Sequence, residues 1–364
     1  MKNTFGNNIS ITLFGESHGE AIGAVIDGIA PGVFVDTDFI SAMLSKRRPK
    51  GAVSTSRAEA DEFKILSGVF CGKTTGTPIC IVVPNNDTKS ADYEATRWLA
   101  RPSHADYAAN CKYHGFEDYR GGGHFSGRIT AALVAAGAII LSALATKGIT
   151  IATHLKKCGG VEDRDFSDYK ADADLLFKVD FPVLCDETAQ KMQDAIVAAK
   201  NEGNSIGGLL ETFITGLPAG VGEPWFDSVE SLLSHALFSI PGVKGVEFGA
   251  GFSLADMKGS EANDPFALSD ENVITTTNNN GGINGGITNG MPIVFRCAMK
   301  PTPTIGKEQQ TIDMLNLSED VLAAKGRHDP CIAHRAAAVV DCLTAIVLAD
   351  MLAGRYGTDW LADE

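Results

Sequence analysis

Alternating hydrophobic and polar residues near the start of the chain predict a β-hairpin. Residues 9–13 alternate between aliphatic and hydroxyl side chains, with the period of two that is typical of a half-buried strand. Residues 21–28 have the same strand character. The turn between these segments carries Glu16, Ser17 and His18, so the predicted hairpin presents chemically active side chains at its tip.

Two long apolar segments predict helices at the centre of the fold. Residues 129–145 are almost entirely Ala, Leu, Ile, Val and Gly, and residues 336–352 are similar except for Asp341 and Asp350. The first segment is close to the shortest length that spans a membrane, but it lacks flanking aromatic belts. A helix that is apolar on every side is expected inside a large domain, where small residues allow close packing.

Shorter elements surround these two helices. The sequence predicts a helix capped at Asp36-Thr37 and running through Lys46, and a helix capped by Thr188 that ends near Gly203. It also predicts a helix that opens with a capping box at 227–230 and stops before Pro241. Further strands are expected at 62–69, 78–84, 209–215, 244–252 and 291–298. Strand groups on both sides of buried helices predict sheet, helix and sheet layers with mainly antiparallel pairing.

Composition narrows the class of protein. The 364 residues, 44% of them hydrophobic, suit a soluble globular protein, and no linker divides the chain, so a single domain over 1–364 is expected. The net charge of −14 argues against binding to nucleic acid or a membrane surface. Lys2 is followed by polar residues, so no secretory signal is expected. Eight cysteines without C-x-x-C spacing indicate reduced cytoplasmic thiols and no metal site.

Arginines gather in a few segments of this acidic chain. The clusters are Arg47, Arg48 and Arg57; Arg101 before Pro102-Ser103-His104; Arg120 and Arg128 around Gly121-Gly122-Gly123; and Arg327 and Arg335 around His328-Asp329. Guanidinium groups fork onto phosphates and carboxylates, so the pattern predicts a site for a small polyanion. The last two clusters each lead into one of the apolar helices, whose N-termini favour anions. Their similarity suggests an internal pseudo-repeat.

The first motif also fits a different enzyme class. Residues 15–19 read Gly-Glu-Ser-His-Gly, the G-x-S-x-G pattern of a serine hydrolase with Ser17 as nucleophile. That nucleophile elbow needs a helix directly after the serine, whereas residues 21–28 predict a strand. The hydrolase therefore stands as a minor alternative.

An ordered set of motifs resembles the chorismate synthase family along nearly the whole chain. The matching segments are Phe14-Gly-Glu-Ser-His-Gly19, Arg47-Arg48-Pro49, Arg101-Pro-Ser-His-Ala-Asp106, Tyr119-Arg-Gly-Gly-Gly123 with Ser126, Arg128 and Thr130, Gly281-Gly-Ile-Asn-Gly-Gly286, Lys300-Pro-Thr-Pro-Thr304, and Gly326-Arg-His-Asp-Pro-Cys331. Each motif alone is weak, but the ordered set is specific.

The resemblance implies a lyase of aromatic amino-acid biosynthesis, in the shikimate pathway. Such enzymes convert 5-enolpyruvylshikimate 3-phosphate to chorismate by anti-1,4 elimination of phosphate, using reduced FMN without net redox change. The family has an α+β fold, a β-α-β sandwich with long buried helices between antiparallel sheets, and assembles as a homotetramer. The chain is too short for a separate flavin reductase domain, so an external reductant is expected, with NADPH only an indirect source of electrons.

The resemblance also implies roles for individual residues. Substrate contacts fall on Arg47, Arg57, Arg101, Arg128 and Arg335. His18 would protonate the departing phosphate, and His104 would stabilise or protonate the reduced flavin near N1 and the C2 carbonyl. Asp329 would help to take the substrate proton through flavin N5, with Ser17 and Ser126 in the relay. Flavin contacts fall on His124, Phe125, Ser126, Pro241, Gly242, Gly285, Lys300, Pro301, Thr302, Pro303, Thr304 and Arg327.

The chain departs from the family pattern beside the glycine triplet. His124 and Phe125 stand where the family usually has Arg and Ser, and the loop around residues 50–57 is one residue short. The changes at His124 and Phe125 motivate a second alternative, a non-catalytic homologue that binds flavin or a polyanion.

Overall fold

Eight α-helices and eighteen strands are present in the described part of this computed structural model, which covers residues 2–55, 60–86, 94, 96–323 and 329–362. The helices are α1 (Thr37–Arg47), α2 (Asp106–Tyr113), α3 (Thr130–Thr146), α4 (Tyr169–Lys178), α5 (Asp186–Asn201), α6 (Val229–Leu237), α7 (Gly259–Ala262) and α8 (Ala333–Tyr356). The strands are β1 (Thr4–Phe5), β2 (Ser10–Gly15), β3 (Ala21–Asp27), β4 (Lys64–Ser67), β5 (Val69–Phe70), β6 (Lys73–Thr74), β7 (Ile79–Pro84), β8 (Thr150–Cys158), β9 (Val161–Glu162), β10 (Gly208–Thr215), β11 (Val243–Phe248), β12 (Phe266–Ser269), β13 (Asn272–Thr275), β14 (Ile283–Asn284), β15 (Ile287–Thr288), β16 (Ile293–Met299), β17 (Gln309–Asp313) and β18 (Ser318–Leu322).

Two five-stranded sheets enclose the long helices. The first sheet has the strand order β1-β2-β3-β7-β4 and the second has the order β11-β16-β10-β8-β9. Every pairing between the described strands of these sheets is antiparallel. Helix α3 packs on β3 and β7, helix α8 packs on β8 and β10, and the two helices pack on each other. The predicted α+β sandwich is therefore confirmed.

The two central helices form where the apolar segments predicted them. At their crossing, a Cβ atom on Gly137 would lie 2.6 Å from the backbone oxygen of Cys342, so only glycine permits this approach. Both helices are long and apolar enough to cross a membrane, but 78% and 94% of their most apolar windows are buried inside the fold. They are core helices of this sandwich.

The two aspartates that interrupt α8 have separate partners. The Asp350 carboxylate accepts hydrogen bonds from the backbone N–H groups of Asn7, Asn8 and Ile9, which attaches the N-terminal segment to α8. Asp341 accepts a 2.6 Å hydrogen bond from the hydroxyl of Thr153 on β8. Burial raises the pKa of Asp341 to about 7.

Several predicted boundaries need correction. Asp36 caps α1 as predicted, accepting from two backbone N–H groups. Helix α5 begins at Asp186, so the prediction that Thr188 caps it is wrong. The predicted capping box at 227–230 is also wrong, because Ser228 is the cap and accepts from the N–H of Ser231. Strand β11 stops at Phe248, where glycine-rich chain turns into a 3₁₀ helix.

Candidate active site

A large cavity brings together most of the residues that the sequence predicted for one site. Its volume is about 1310 Å³. Among the predicted residues it is lined by His18, Arg47, Arg101, His104, His124, Phe125, Ser126, Arg128, Pro241, Gly242, Lys300, Pro301, Thr302, Pro303, Thr304, Asp329 and Arg335. Segments up to 317 residues apart in sequence therefore meet at one place (His18 to Arg335).

Two predicted site residues do not line this cavity, and two more fall outside the described part of the chain. Ser17 is buried behind His18 and does not line the cavity. Gly285, in the turn between β14 and β15, is also not among the described residues that line it. Arg57 and Arg327 lie outside the described residues.

The glycine triplet separates the two predicted proton-transfer histidines. Gly121, Gly122 and Gly123 all have positive φ angles, of 60°, 92° and 52°. A Cβ atom on Gly121 would lie 2.0 Å from Cε1 of His18, and one on Gly122 would lie 3.3 Å from Nε2 of His104. Both imidazoles therefore pack directly on this short stretch of backbone, and larger residues would displace them.

Hydrogen bonds orient His18 at the tip of the β2–β3 hairpin. The Ser17 hydroxyl lies 3.1 Å from Nδ1 of His18 and donates to the carbonyl oxygen of Arg120 at 3.2 Å. Because this hydroxyl has one proton, it accepts from Nδ1–H of His18. This contact fixes Nδ1 of His18 against Ser17.

A carboxylate orients His104 in the same way. Asp106 Oδ1 lies 2.7 Å from Nδ1 of His104, and the two Asp106 oxygens also accept from Nε and Nη2 of Arg101. Burial raises the pKa of Asp106, but the hydrogen bonds from His104 and Arg101 outweigh it and hold that pKa below its usual value. An ionised carboxylate only accepts hydrogen bonds, so Nδ1 of His104 carries a proton and donates a hydrogen bond to Asp106. Nε2 is then the ring nitrogen that can interact with a ligand.

Two further arginines of the cavity share one buried carboxylate. Asp61 Oδ2 accepts from Nη2 of Arg47 at 2.8 Å, and Asp61 Oδ1 accepts from Nη1 of Arg128. Arg128 also donates to the Asn85 side chain and to the carbonyl oxygen of Pro84, each at 3.0 Å. Both guanidinium groups are therefore fixed before any ligand binds.

Asp329 is held at the entrance to α8. Its Oδ1 accepts from the backbone N–H of Thr55 at 2.9 Å, and its Oδ2 accepts from Nη1 of Arg335 at 2.8 Å. Arg335 also donates from Nε to the carbonyl oxygen of Arg47 at 2.8 Å. These contacts join the arginine-rich segment after α1 to the start of α8.

Two lysines and an unsatisfied hydroxyl also line the cavity, from Lys244, Lys300 and Thr302. Burial lowers the pKa of Lys300, and the neighbouring charge of Lys244 lowers it further. Thr302 Oγ1 is buried and has no hydrogen-bond partner among the described residues. Two cations beside an unsatisfied donor suit an anionic group such as a phosphate.

Comparison with known proteins agrees with this geometry. A model of the chorismate synthase family matches residues 9–353. The chain belongs to the chorismate synthase family. A chorismate synthase of Thermococcus kodakarensis is 45% identical over 351 residues, covering 96% of this chain and 97% of that protein. One of Aeropyrum pernix is 45% identical over 370 residues, covering 100% and 96%.

A solved structure agrees as well. A crystal structure of chorismate synthase superposes with a TM-score of 0.76 at 29% identity, covering 97% of this chain and 94% of that chain. The resemblance that the sequence motifs indicated is confirmed, and with it the assignment to the lyases.

The two departures from the family pattern have local structural partners. Nδ1 of His124 lies 2.8 Å from the carbonyl oxygen of Gly15 and ties the glycine triplet to the end of β2. The ring of Phe125 lies edge-on to the ring of Tyr113, with 6.0 Å between centroids. Both residues still line the cavity.

The sequence did not predict several residues that hold the cavity's side chains in place. Asp106 is the last residue of the motif at 101–106, and its position two residues after His104 could have indicated that it orients this histidine. Asp61 had no comparable signal, because it sits in an acidic run whose other members look equally suitable. Thr55 acts through its backbone, which a side-chain pattern does not reveal.

The hydrolase alternative lacks its required geometry. Strand β3 follows the Ser17 turn where a nucleophile elbow needs a helix. The Ser17 hydroxyl donates to a backbone carbonyl and is 7% exposed. Membership in a lyase family accounts for the same motif.

Proposed function

We propose that this chain eliminates phosphate from 5-enolpyruvylshikimate 3-phosphate to give chorismate, with reduced FMN as cofactor. The observation that carries the proposal is one cavity that is lined by two oriented histidines and four arginines. The arginines are Arg47, Arg101, Arg128 and Arg335. A substrate with one phosphate and two carboxylates matches this charge, because guanidinium groups bind both anions in forked geometry.

The size and donor set of the cavity suit two ligands at once. Its volume of about 1310 Å³ exceeds the roughly 300–1,000 Å³ common for a single small-molecule site. Lys300, Lys244 and the unsatisfied hydroxyl of Thr302 suit the phosphate of FMN. When bound, reduced flavin supplies electron density to the substrate and regains it, which removes any need for a net oxidant.

We assign His18 as the acid that protonates the departing phosphate. Ser17 accepts from Nδ1 of His18, so Nε2 is the nitrogen that gives up a proton. This orientation is compatible with both the charged and the neutral imidazole, as a general acid requires. Arginines nearby stabilise the negative charge that develops on the leaving group.

We assign His104 to the flavin and Asp329 to removal of the substrate proton. Asp106 keeps Nδ1 of His104 protonated, so the imidazole presents Nε2 to the cavity. Thr55 and Arg335 hold the Asp329 carboxylate in place at the start of α8. Ser126, which caps the turn before Arg128, belongs to the proton relay in this assignment.

We infer a homotetramer in the cytoplasm that receives already reduced flavin from an external reductant, with NADPH only as an indirect source of electrons. Exposed aromatic side chains support assembly, since Phe226, Phe252 and Phe70 are 88%, 79% and 74% exposed. The eight free cysteines suit a reducing compartment.

Single substitutions test these roles. His18→Ala, His104→Ala and Asp329→Ala should each fold and assemble normally but lose about 10²–10⁴-fold in kcat. His114→Asn is the matched control, because His114 is exposed at a positive φ of 59° that asparagine tolerates. Full activity in the His18 variant would remove that residue from the mechanism.

A second candidate function is non-catalytic binding of flavin. It is favoured by His124 and Phe125, which replace an arginine and a hydroxyl usual in the family. Tight FMN binding without elimination by the wild-type chain would support it.

A further inference from the structure

A buried carboxylate joins two of the cavity arginines. The Asp61 side chain is completely buried, and the side chains of its partners Arg47 and Arg128 are each 7% exposed. Both arginines line the cavity, whereas Asp61 is not among the described residues that do so. Asp61 can therefore influence a ligand only through its two partners.

Charge makes this carboxylate necessary to the cluster. Burial raises the pKa of Asp61, but the charges of Arg47 and Arg128 outweigh it, so that pKa lies below its usual value. Burial lowers the pKa of Arg47, and the positive charge of Arg335 lowers it further. The negative charge of Asp61 raises the pKa of Arg47 and so favours its charged form. Without Asp61, three cations would meet where little water screens them.

Arg47 depends most on this contact. Its hydrogen bonds to the carbonyl oxygen of Gly127 and to Thr130 Oγ1 are long, at 3.4 Å each, compared with 2.8 Å to Asp61. Its Nε is buried and has no hydrogen-bond partner among the described residues. The Arg47 guanidinium therefore depends on one short hydrogen bond, the one to Asp61, for its position.

We propose that Asp61 is a positioning residue that holds Arg47 and Arg128 side by side as a preformed anion site for the substrate. This inference rests on the proposed function, because it takes both arginines as substrate contacts. Fixed donors gain affinity since their ordering is complete before binding. The same carboxylate removes the repulsion that would otherwise separate the two guanidinium groups.

Asp61→Asn tests the proposal with little change of shape. Asp61 has a positive φ of 52°, a conformation that asparagine also tolerates. We expect KM and Kd for 5-enolpyruvylshikimate 3-phosphate to rise about 10-fold or more, because charge-assisted contacts lose their geometry. We expect kcat to change less than about threefold, because the lost interaction binds the substrate equally in its ground state and in the transition state. Asp61→Glu, which keeps the charge, should restore part of the affinity.

Asp172→Asn controls for the loss of a buried carboxylate that is paired with an arginine. Asp172 pairs with Arg164, and neither residue is among those described as lining the cavity. This variant should lose stability but keep the wild-type KM. If Asp61→Asn does not fold, Asp61→Glu still tests the idea, because moving the carboxylate should raise KM by about threefold or more at retained kcat.

The outcomes separate this inference from the proposed function. An unchanged KM in both Asp61 variants, tighter binding, or a fall in kcat at constant KM would overturn the positioning role. Calorimetric binding of the substrate without flavin gives a readout independent of turnover. If the wild type binds but does not react, the proposed function fails, and weakened binding by Asp61→Asn would still support the inference. Absence of binding by the wild type would overturn both.

Discussion

A Cβ atom on Gly121 would lie 2.0 Å from Cε1 and 2.2 Å from Nδ1 of His18. The backbone of the glycine triplet is thus part of the wall against which this histidine rests. We predict that Gly121→Ala loses about 10²-fold or more in kcat, because a displacement near 1 Å at the reacting centre has that effect. Steady-state turnover of the purified variant measures the loss.

Gly127→Ala is the control for that substitution. A Cβ atom on Gly127 would meet nothing within 4 Å, although the residue lines the same cavity. Its activity should stay within a few-fold of wild type. Equal activity of the two variants would show that the packing of His18 on Gly121 does not matter.

Removal of the Asp106 charge should destabilise the fold in a pH-dependent way. Burial raises the pKa of this carboxyl, but hydrogen bonds from His104 and Arg101 hold it below its usual value near 3.8. The depressed pKa contributes stability above pH 4 that is lost as the pH falls through and below that value. The difference between wild type and Asp106→Asn in denaturant unfolding should therefore be largest at pH 6 and narrow progressively as the pH falls below 4. A difference independent of pH would contradict the ionic role.

Asp341 should have the opposite pH dependence. Burial raises its pKa to about 7 from a usual value of 3.8, so between these values the folded chain keeps a proton that the unfolded chain releases. Stability from this group is complete below pH 4 and declines as the pH rises to about 7. At about 1.4 kcal/mol per tenfold change in proton affinity, Asp341→Asn should gain roughly 2–4 kcal/mol relative to wild type between pH 4 and 8.

Asp256→Asn is the control for the Asp341 variant, because Asp256 is exposed. Unfolding free energies across the pH range give the comparison. Parallel curves for wild type and Asp341→Asn would contradict the raised pKa of Asp341.

Lys300 should contribute to flavin affinity. We predict that Lys300→Ala weakens FMN binding by about 10-fold or more, because a charge-assisted contact to phosphate is lost. Lys307→Ala is the comparison, since Lys307 lies seven residues further along the chain, pairs with Glu202 and does not line the cavity among the described residues. Flavin fluorescence titration distinguishes the two. Equal affinities would place the phosphate elsewhere.

The layers of the fold were predictable because they follow from hydrophobic pattern. The segment at 129–145 is apolar on nearly all faces and the segment at 336–352 is interrupted only by Asp341 and Asp350, so burial between two sheets was the stable solution. Helix termini were less predictable, because several neighbouring residues can serve as the N-cap and the tertiary fold decides between them. Cys185 stands at the start of α5, although Thr188 is the better capping residue by type.

Only those residues of the candidate site that belong to sequence motifs could be predicted. His18 and His104 could be named from sequence, but their orientation depends on contacts such as that of Asp106 with His104. The carboxylate shared by Arg47 and Arg128 joins three separate segments, and no spacing in the sequence encodes that meeting. Long-range ion pairs of this kind emerge from the tertiary fold.

The most direct test of the central claim is anaerobic turnover of 5-enolpyruvylshikimate 3-phosphate by the wild-type chain with chemically reduced FMN. Chorismate and phosphate are followed together in the same reaction, and oxidised FMN serves as the control. Our account predicts equal release of both products with reduced flavin and none with oxidised flavin. No product despite demonstrable FMN binding would contradict it and favour a non-catalytic flavin-binding protein.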